Sequence, residues 1–391
     1  MLLRRILVLS FLLSPVIAKS QNIKILDSII NTSRLSFEIV NDKPVGDGWN
    51  FLMKQYAENN YVGWGEYHNS PLISLLTKEA LGEAAKNNYN AWAVEISPMA
   101  AAALETYAID KSAYQKYRKA NEVFQGKNFK AFTLTPFFYT APDSLMLLAA
   151  VKNNIKLWGL DHEFQLSFHL YINQAYNNLT KANQVKCKAA YDSAIKYWYM
   201  PQPEDIDAII GLSKSKKDIA DLNEVKKAID IYTKHERRKT IYQSLSCRTD
   251  LMKQHYYTYL KAFQAKYKKS PKVFLKMGDN HLAKGINMEK QQYDIGNMIY
   301  ELSKMEGVNF TNIEFVPRMS KDNNDKIVDE LSDPNTPYSP YFLKQYNANK
   351  WIVIDLRPMR AFITRTDGSI DENGYEIIKK YDIMVLSPEI N

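Results

Sequence analysis

The chain has 391 residues, with 51 lysines and arginines against 43 aspartates and glutamates, a formal net charge of +8. At 46% hydrophobic and 12% aromatic residues it can bury one large core or two smaller ones, which excludes a disordered or low-complexity chain. The basic excess lies in short clusters such as Lys214, Lys216, Lys217 and Lys266, Lys268, Lys269, which read as solvated helix faces rather than a nucleic-acid groove.

The chain opens MLLRRILVLSFLLSPVIAKSQ. Arg4 and Arg5 precede an apolar run over 6–13, Pro15 breaks it, and Val16 and Ala18 place compact residues at −3 and −1 of a cut. This layout predicts a secretory signal peptide over 1–18, too short to span a bilayer. With no cysteine beside the cut, a lipid anchor is not expected. The protein from 19 to 391 is then periplasmic or secreted. Its two cysteines, Cys187 and Cys247, could pair in an oxidising compartment or remain separate thiols.

From there, β-like runs alternate with helical stretches, the pattern of an α/β fold with a mostly parallel sheet flanked by helices. Strands are predicted over 61–64, 91–96, 155–160, 272–277, 312–316, 350–356 and 381–386, several of them apolar throughout, as strands covered on both faces should be. A helix is predicted between the first two, with Pro71 in its first turn and Asn87-Asn88 at its end. Residues 165–269 read as helical almost throughout and are expected to form an insertion, a lobe or lid over the strand ends, in a single domain. Residues 320–340 and 366–374 read as surface loops, the first with one helical turn.

Ligands of open α/β sheets sit outside the carboxyl ends of the strands. Gly65, Glu66, Tyr67 and His68 follow the first run, Glu95 ends the second, Asp161, His162 and Glu163 follow the third, and Gly278, Asp279, Asn280 and His281 follow the fourth. Three of the six histidines therefore fall at one predicted edge. Histidine exchanges protons near neutral pH, and a carboxylate on its other nitrogen fixes the tautomer. The same set, His68, Glu95 and His281, could instead hold a divalent metal. Glycine before the polar residues would let the backbone turn out of the sheet. Glu95, costly to bury alone, needs a cation, a metal or a histidine.

In the helical stretch, Arg248, Met252 and His255 share one face, and Arg248 could bind a carboxylate such as Glu95 or a substrate oxyanion. Lys78, on the inner turns of the first helix, is a weaker binding candidate. Tyr67, Asp161, His162 and Asp279 complete the candidate binding residues. His169 and His235 read as structural or solvent-exposed.

The motifs GEYH, VEISP and MGDNHLAKG resemble those of the superfamily that joins erythromycin esterases, Tiki-type metalloproteases and ChaN-like haem-uptake lipoproteins. Glu66, His68, Glu95 and His281 match its pattern, and Asp161 in WGLD and Arg248 with Met252 are similar to elements of the esterase branch. The single residue between Glu66 and His68 is closer to the haem-uptake branch, and Asp279 and Asn280 stand where esterases tend to carry a second late histidine. The resemblance implies an exported hydrolase of an ester, lactone or amide in a small molecule or peptide. Glu66, His68, Glu95, His281 and Arg248 would form its catalytic set, in one pocket, with or without a divalent metal. The alternative it implies is a haem- or metal-binding protein with Tyr67 or His68 as axial ligand.

Overall fold

Backbone groups in an apolar run find partners most readily in a sheet, and the predicted runs all become strands. β3 (Tyr61–Glu66), β4 (Ala91–Val94), β5 (Lys156–Gly159) and β6 (Val273–Gly278) are buried nearly end to end. β7 (Phe310–Lys321), β9 (Trp351–Asp355) and β10 (Ile383–Ile390) complete that set. Three more strands were not predicted: β1 (Arg34–Val40), β2 (Lys43–Val45) and β8 (Ile327–Asp329). β1 and β2 form a hairpin whose loop residues, Asn41 and Asp42, have φ of 50° and 59°, as a type I′ turn requires.

This computed structural model describes residues 23–391 apart from 69, 110–111, 113–114, 116–134, 139–140, 198–199, 237–240, 288–291, 322–325, 335, 366–369 and 391. The predicted signal peptide lies outside the described residues. No described helix is long and apolar enough to cross a membrane.

The chain divides into two units, residues 1–76 with 276–391, and residues 77–275. In the first the strand order is β2-β1-β9-β10-β7-β3, with β8 beside β7. The ladder is parallel through β10, β7 and β3 and antiparallel toward β9, β1 and β2, a mixed sheet within the α/β fold expected. Ile352, Ile354, Met384 and Leu386 pack there against Leu343, Met359, Ile377 and Ile378. The loop expected over 320–340 holds β8, and the one over 366–374 ends in a helix, Glu372–Lys380, capped by Asp371 through the Gly374 N–H at 2.9 Å.

In the second unit β4 and β5 pair in parallel. The predicted helical insertion lies within this unit. Its helices Phe168–Asn177, Pro203–Ile210 and Lys216–Glu236 bury Phe168, Ile172, Ile206, Ile209, Leu222 and Val225 in a core of their own. Cys187 belongs to that core, and both cysteines are thiols, not a disulfide.

Candidate functional site

Glu66 is the last residue of β3 and is only 5% exposed. Its Oε2 lies 2.6 Å from Nζ of Lys276, on β6 and equally buried. His68 follows in the turn, partly exposed, with Nδ1 3.5 Å from the other oxygen of Glu66. Burial draws the Glu66 carboxyl upward, but the Lys276 ammonium and then His68 outweigh it, so it titrates below its ordinary value.

The late histidine turn packs on the same strand. Asp279–Leu282 forms a short 3-10 helix against β3, and a side chain at Gly65 would put its Cβ 2.8 Å from the Cα of Asp279. Gly65 thus serves close approach within an extended strand, not the turn out of the sheet expected of it. His281 is 2% exposed, and its Nδ1 lies 2.9 Å from Oδ2 of the fully buried Asp294. Asp294 also caps the helix Ile295–Glu306, accepting the Ile295 N–H at 2.7 Å. The first unit thus holds two carboxylate–imidazole pairs, one on the β3 end and one on the turn packed against it. Asp294 fixes one ring nitrogen of His281 by a hydrogen bond, while Glu66 faces His68 Nδ1 at 3.5 Å, an electrostatic contact longer than a hydrogen bond.

Tyr67 is buried and donates its hydroxyl to Ser387 Oγ at 2.7 Å. Asp279 accepts the backbone N–H of Asn280 at 2.6 Å. Glu314, ladder partner of Gly65, is 3% exposed, and its Oε2 has no hydrogen-bond partner among the described residues. Burial, then the charge of Asp279, pushes its carboxyl well above the usual range. A folded-state value above the unfolded one favours folding below the unfolded pKa and loses that contribution as pH rises. Glu314→Gln is therefore expected to match wild type in urea unfolding near pH 4.5 and to exceed it at pH 8 by about 1 kcal/mol or more.

In the second unit, Glu95 and Asp161 are 6% and 5% exposed, just past the ends of β4 and β5. Arg248 bridges them. Its Nη2 donates to Glu95 Oε1 and Asp161 Oδ2, both at 2.6 Å, and its Nε to Asp161 Oδ1 at 3.0 Å. Burial opposes the charge on Asp161, yet the guanidinium holds its carboxyl well below the usual range. His162 packs against Tyr232 with ring centres 4.8 Å apart and planes tilted by 33°, and burial lowers its pKa. Glu163 accepts hydrogen bonds from Ser97 and Ser167, and burial raises it. Asp161, His162, Glu95 and Arg248 all line a cavity of about 310 Å³ with Tyr232 and Phe164 on its wall.

Ser97 accepts the Ala100 N–H in the first turn of the helix Pro98–Ile109. Met252 is fully buried, while His255 lies between the Leu160 carbonyl (2.8 Å) and Glu224 (3.2 Å). Lys78 pairs with its neighbour Glu79 at 3.0 Å. His169 is half-buried, which lowers its pKa, and the His235 side chain lies outside the described residues. Sequence reasoning missed Lys276, Asp294 and Glu314. Lys276 and Glu314 carried one usable signal, a charged residue inside an otherwise apolar strand.

Among the described residues no group of three or more His, Cys, Asp or Glu side chains is arranged to hold a metal ion. Glu66 is already engaged by Lys276.

No known family profile and no curated relative matches the sequence. Solved structures do. A mutant of the erythromycin esterase EreC in its open conformation superposes with a TM-score of 0.55 at 13% identity, over 92% of this chain and 98% of that one. The chain has the fold of an erythromycin esterase. A Bacillus cereus protein aligns at 0.53 and 15% identity over 94% and 97% of the two chains. A succinoglycan biosynthesis protein aligns at 0.52 and 14% over 94% and 96%. The resemblance read from the motifs is thus met at the level of fold.

Proposed function

We propose that the chain is an exported hydrolase of an ester, lactone or amide bond, with His68 as the base that takes a proton from water. The Lys276–Glu66–His68 chain at the end of β3 is the observation that supports this. A carboxylate beside the ring stabilises the imidazolium formed as water attacks the carbonyl. His281, held by Asp294, is the second proton-handling group of that unit. Glu95, Arg248 and Asp161 line the second unit's cavity. The hydrogen bonds of Arg248 leave from Nε and Nη2. Its Nη1 is proposed to donate to a substrate oxygen there. Tyr232 and Phe164 supply apolar contact, and His162 and Asp161 shape the pocket's polar side.

A divalent ion finds no donor set among the described residues, so no step runs through one. Haem would ask for Tyr67 or His68 as axial ligand. The Tyr67 hydroxyl is instead buried against Ser387.

Purified protein is expected to turn over at least one member of a panel of p-nitrophenyl esters, lactones and peptides. Full activity in both His68→Ala and His281→Ala would remove the proposal. A Soret band on haem titration, lost in His68→Ala, would replace it with haem binding. Export is checked by sequencing the N-terminus of protein recovered outside the cytoplasm, expected to begin at Lys19.

A further inference from the structure

We infer that the edge of the second unit where the chain enters β4, β5 and β6 is a docking surface for an anionic phospholipid bilayer, presented by lysines from three neighbouring segments. The inference is independent of the hydrolase reading and uses none of the residues placed at the carboxyl ends of the strands.

Backbone hydrogen bonds hold the three segments side by side. The Asn90 N–H donates to the Lys272 carbonyl at 2.9 Å, and the Lys156 N–H to the Asn90 carbonyl at 3.0 Å. Each segment is the exit of a helix, Pro71–Lys86, Ala141–Lys152 or Ile241–Tyr267, with Lys86, Lys152 or Lys266 in its last turn. Lysine there is ordinary, because it faces the negative end of the helix dipole. The continuation is not ordinary. Lys156 follows Lys152, and Lys268, Lys269 and Lys272 follow Lys266. Residues 251–275 carry six lysines and no aspartate or glutamate.

Each exit turns through one residue in the left-handed region: Asn88 at φ 61°, Asn154 at φ 57° and Lys268 at φ 56°. Asparagine visits this region readily, whereas a long side chain does so at a cost. A lysine therefore stands where the backbone favours another residue. Glu83 lies 2.9 Å from Lys86, and Glu105 lies 3.8 Å from Lys156. Among the described residues, Lys152, Lys266, Lys268, Lys269 and Lys272 have no carboxylate within ion-pair distance. All of these but Lys272 are exposed.

None of these lysines lines a described cavity, so the charge is spread over an open edge that does not enclose a small anion. An extended anionic surface suits such an array, since every lysine brought near it adds to the attraction. Tyr267 is 49% exposed, and the ammonium of Lys266 lies 4.9 Å from its ring centre. Exposed tyrosine beside lysine settles at headgroup level. No described helix is long and apolar enough to cross a membrane, so the contact inferred is peripheral.

The test is co-sedimentation of the purified whole protein with vesicles of phosphatidylcholine, alone or with about one-third phosphatidylglycerol. Partition to the anionic vesicles is expected to exceed that to the neutral ones by about tenfold or more, and to lose that excess between about 0.05 M and about 0.5 M salt. Lys266→Gln/Lys268→Gln/Lys269→Gln is expected to lower anionic partition about 100-fold, and the triple arginine variant to keep it. The same loss of charge at Lys304, Lys344 and Lys379, exposed lysines of the first unit, should change it by less than about threefold.

Equal partition to both vesicles overturns the inference, and so does a triple glutamine variant that binds like wild type. A first-unit variant that loses as much binding also overturns it, because net charge alone would then be the cause. Retention by polyphosphate with no partition to vesicles overturns the choice of a bilayer. Should the triple glutamine variant fail to fold, judged by its thermal midpoint, Lys152→Gln/Lys156→Gln carries the expectation, at about a tenfold loss.

Discussion

Replacing Arg248 by methionine is expected to cost about 3–5 kcal/mol of stability at neutral pH, read as a fall in the urea midpoint. The effect is large because two carboxylates share one guanidinium. Arg248 sends three of its short hydrogen bonds to Glu95 and Asp161, both buried. Methionine keeps the stem packed and strands two negative charges that are only 6% and 5% exposed. The pH dependence identifies the cause. In wild type the Asp161 carboxyl is held low, so its contribution is present above the unfolded value near 3.9 and is lost only as pH falls further. In the variant both carboxyls can relieve their burial by taking protons. The gap between the two proteins should narrow as pH drops from 7 toward 4.5. A gap independent of pH would mean that Arg248 acts through packing alone.

A companion variant sharpens this. Glu95→Gln/Asp161→Asn/Arg248→Met removes all three charges and is expected to recover much of the loss, since neutral groups of similar shape do not carry the burial penalty of a lone ion. Recovery of fold without recovery of activity would separate the network's structural role from its proposed contact with a substrate oxygen.

The seven strands were legible because strands covered on both faces leave unbroken apolar runs, and such runs survive without knowledge of their neighbours. The hairpin of β1 and β2 was passed over, although Asn41-Asp42 between two extended stretches is its usual signal. β1 buries only Phe37 and has no continuous apolar run to announce it. At the site, Glu66, His68 and His281 stood out because they follow strands, where polar residues draw attention. Lys276 and Glu314 stand inside strands, at positions that look like the solvent side of an alternating pattern. Burial on both faces turns each into a problem needing a solution. Lys276 finds it in Glu66, and burial with the charge of Asp279 pushes the Glu314 carboxyl well above the usual range. A buried charge demands a partner at Lys276 as much as at Glu95, once the strand is covered on both faces. Asp294 was hidden for a different reason: its distance in sequence from His281 has no period, and only the packing of a helix start against the turn brings the two together.

His68→Ala is expected to lower turnover by about 10²–10⁴-fold while leaving the fold intact. The two halves of that expectation have separate grounds. The loss in rate follows if the imidazole of His68 takes the proton from water. The intact fold follows from what remains. Glu66 keeps Lys276 at 2.6 Å, so the buried charge pair stays matched, and the ring removed is partly exposed. The thermal midpoint should move by no more than a few degrees, consistent with a stability change under about 1 kcal/mol. Glu66→Ala offers the contrast, because it leaves a buried ammonium unpaired and should cost about 3–5 kcal/mol. Imidazole added to His68→Ala should restore part of the rate in proportion to its concentration, because the cavity left by the ring lies beside the same carboxylate. Rescue by imidazole together with an unshifted midpoint places the missing function in the ring nitrogen itself. A variant that melts early and ignores imidazole would show that His68 holds the turn rather than the proton.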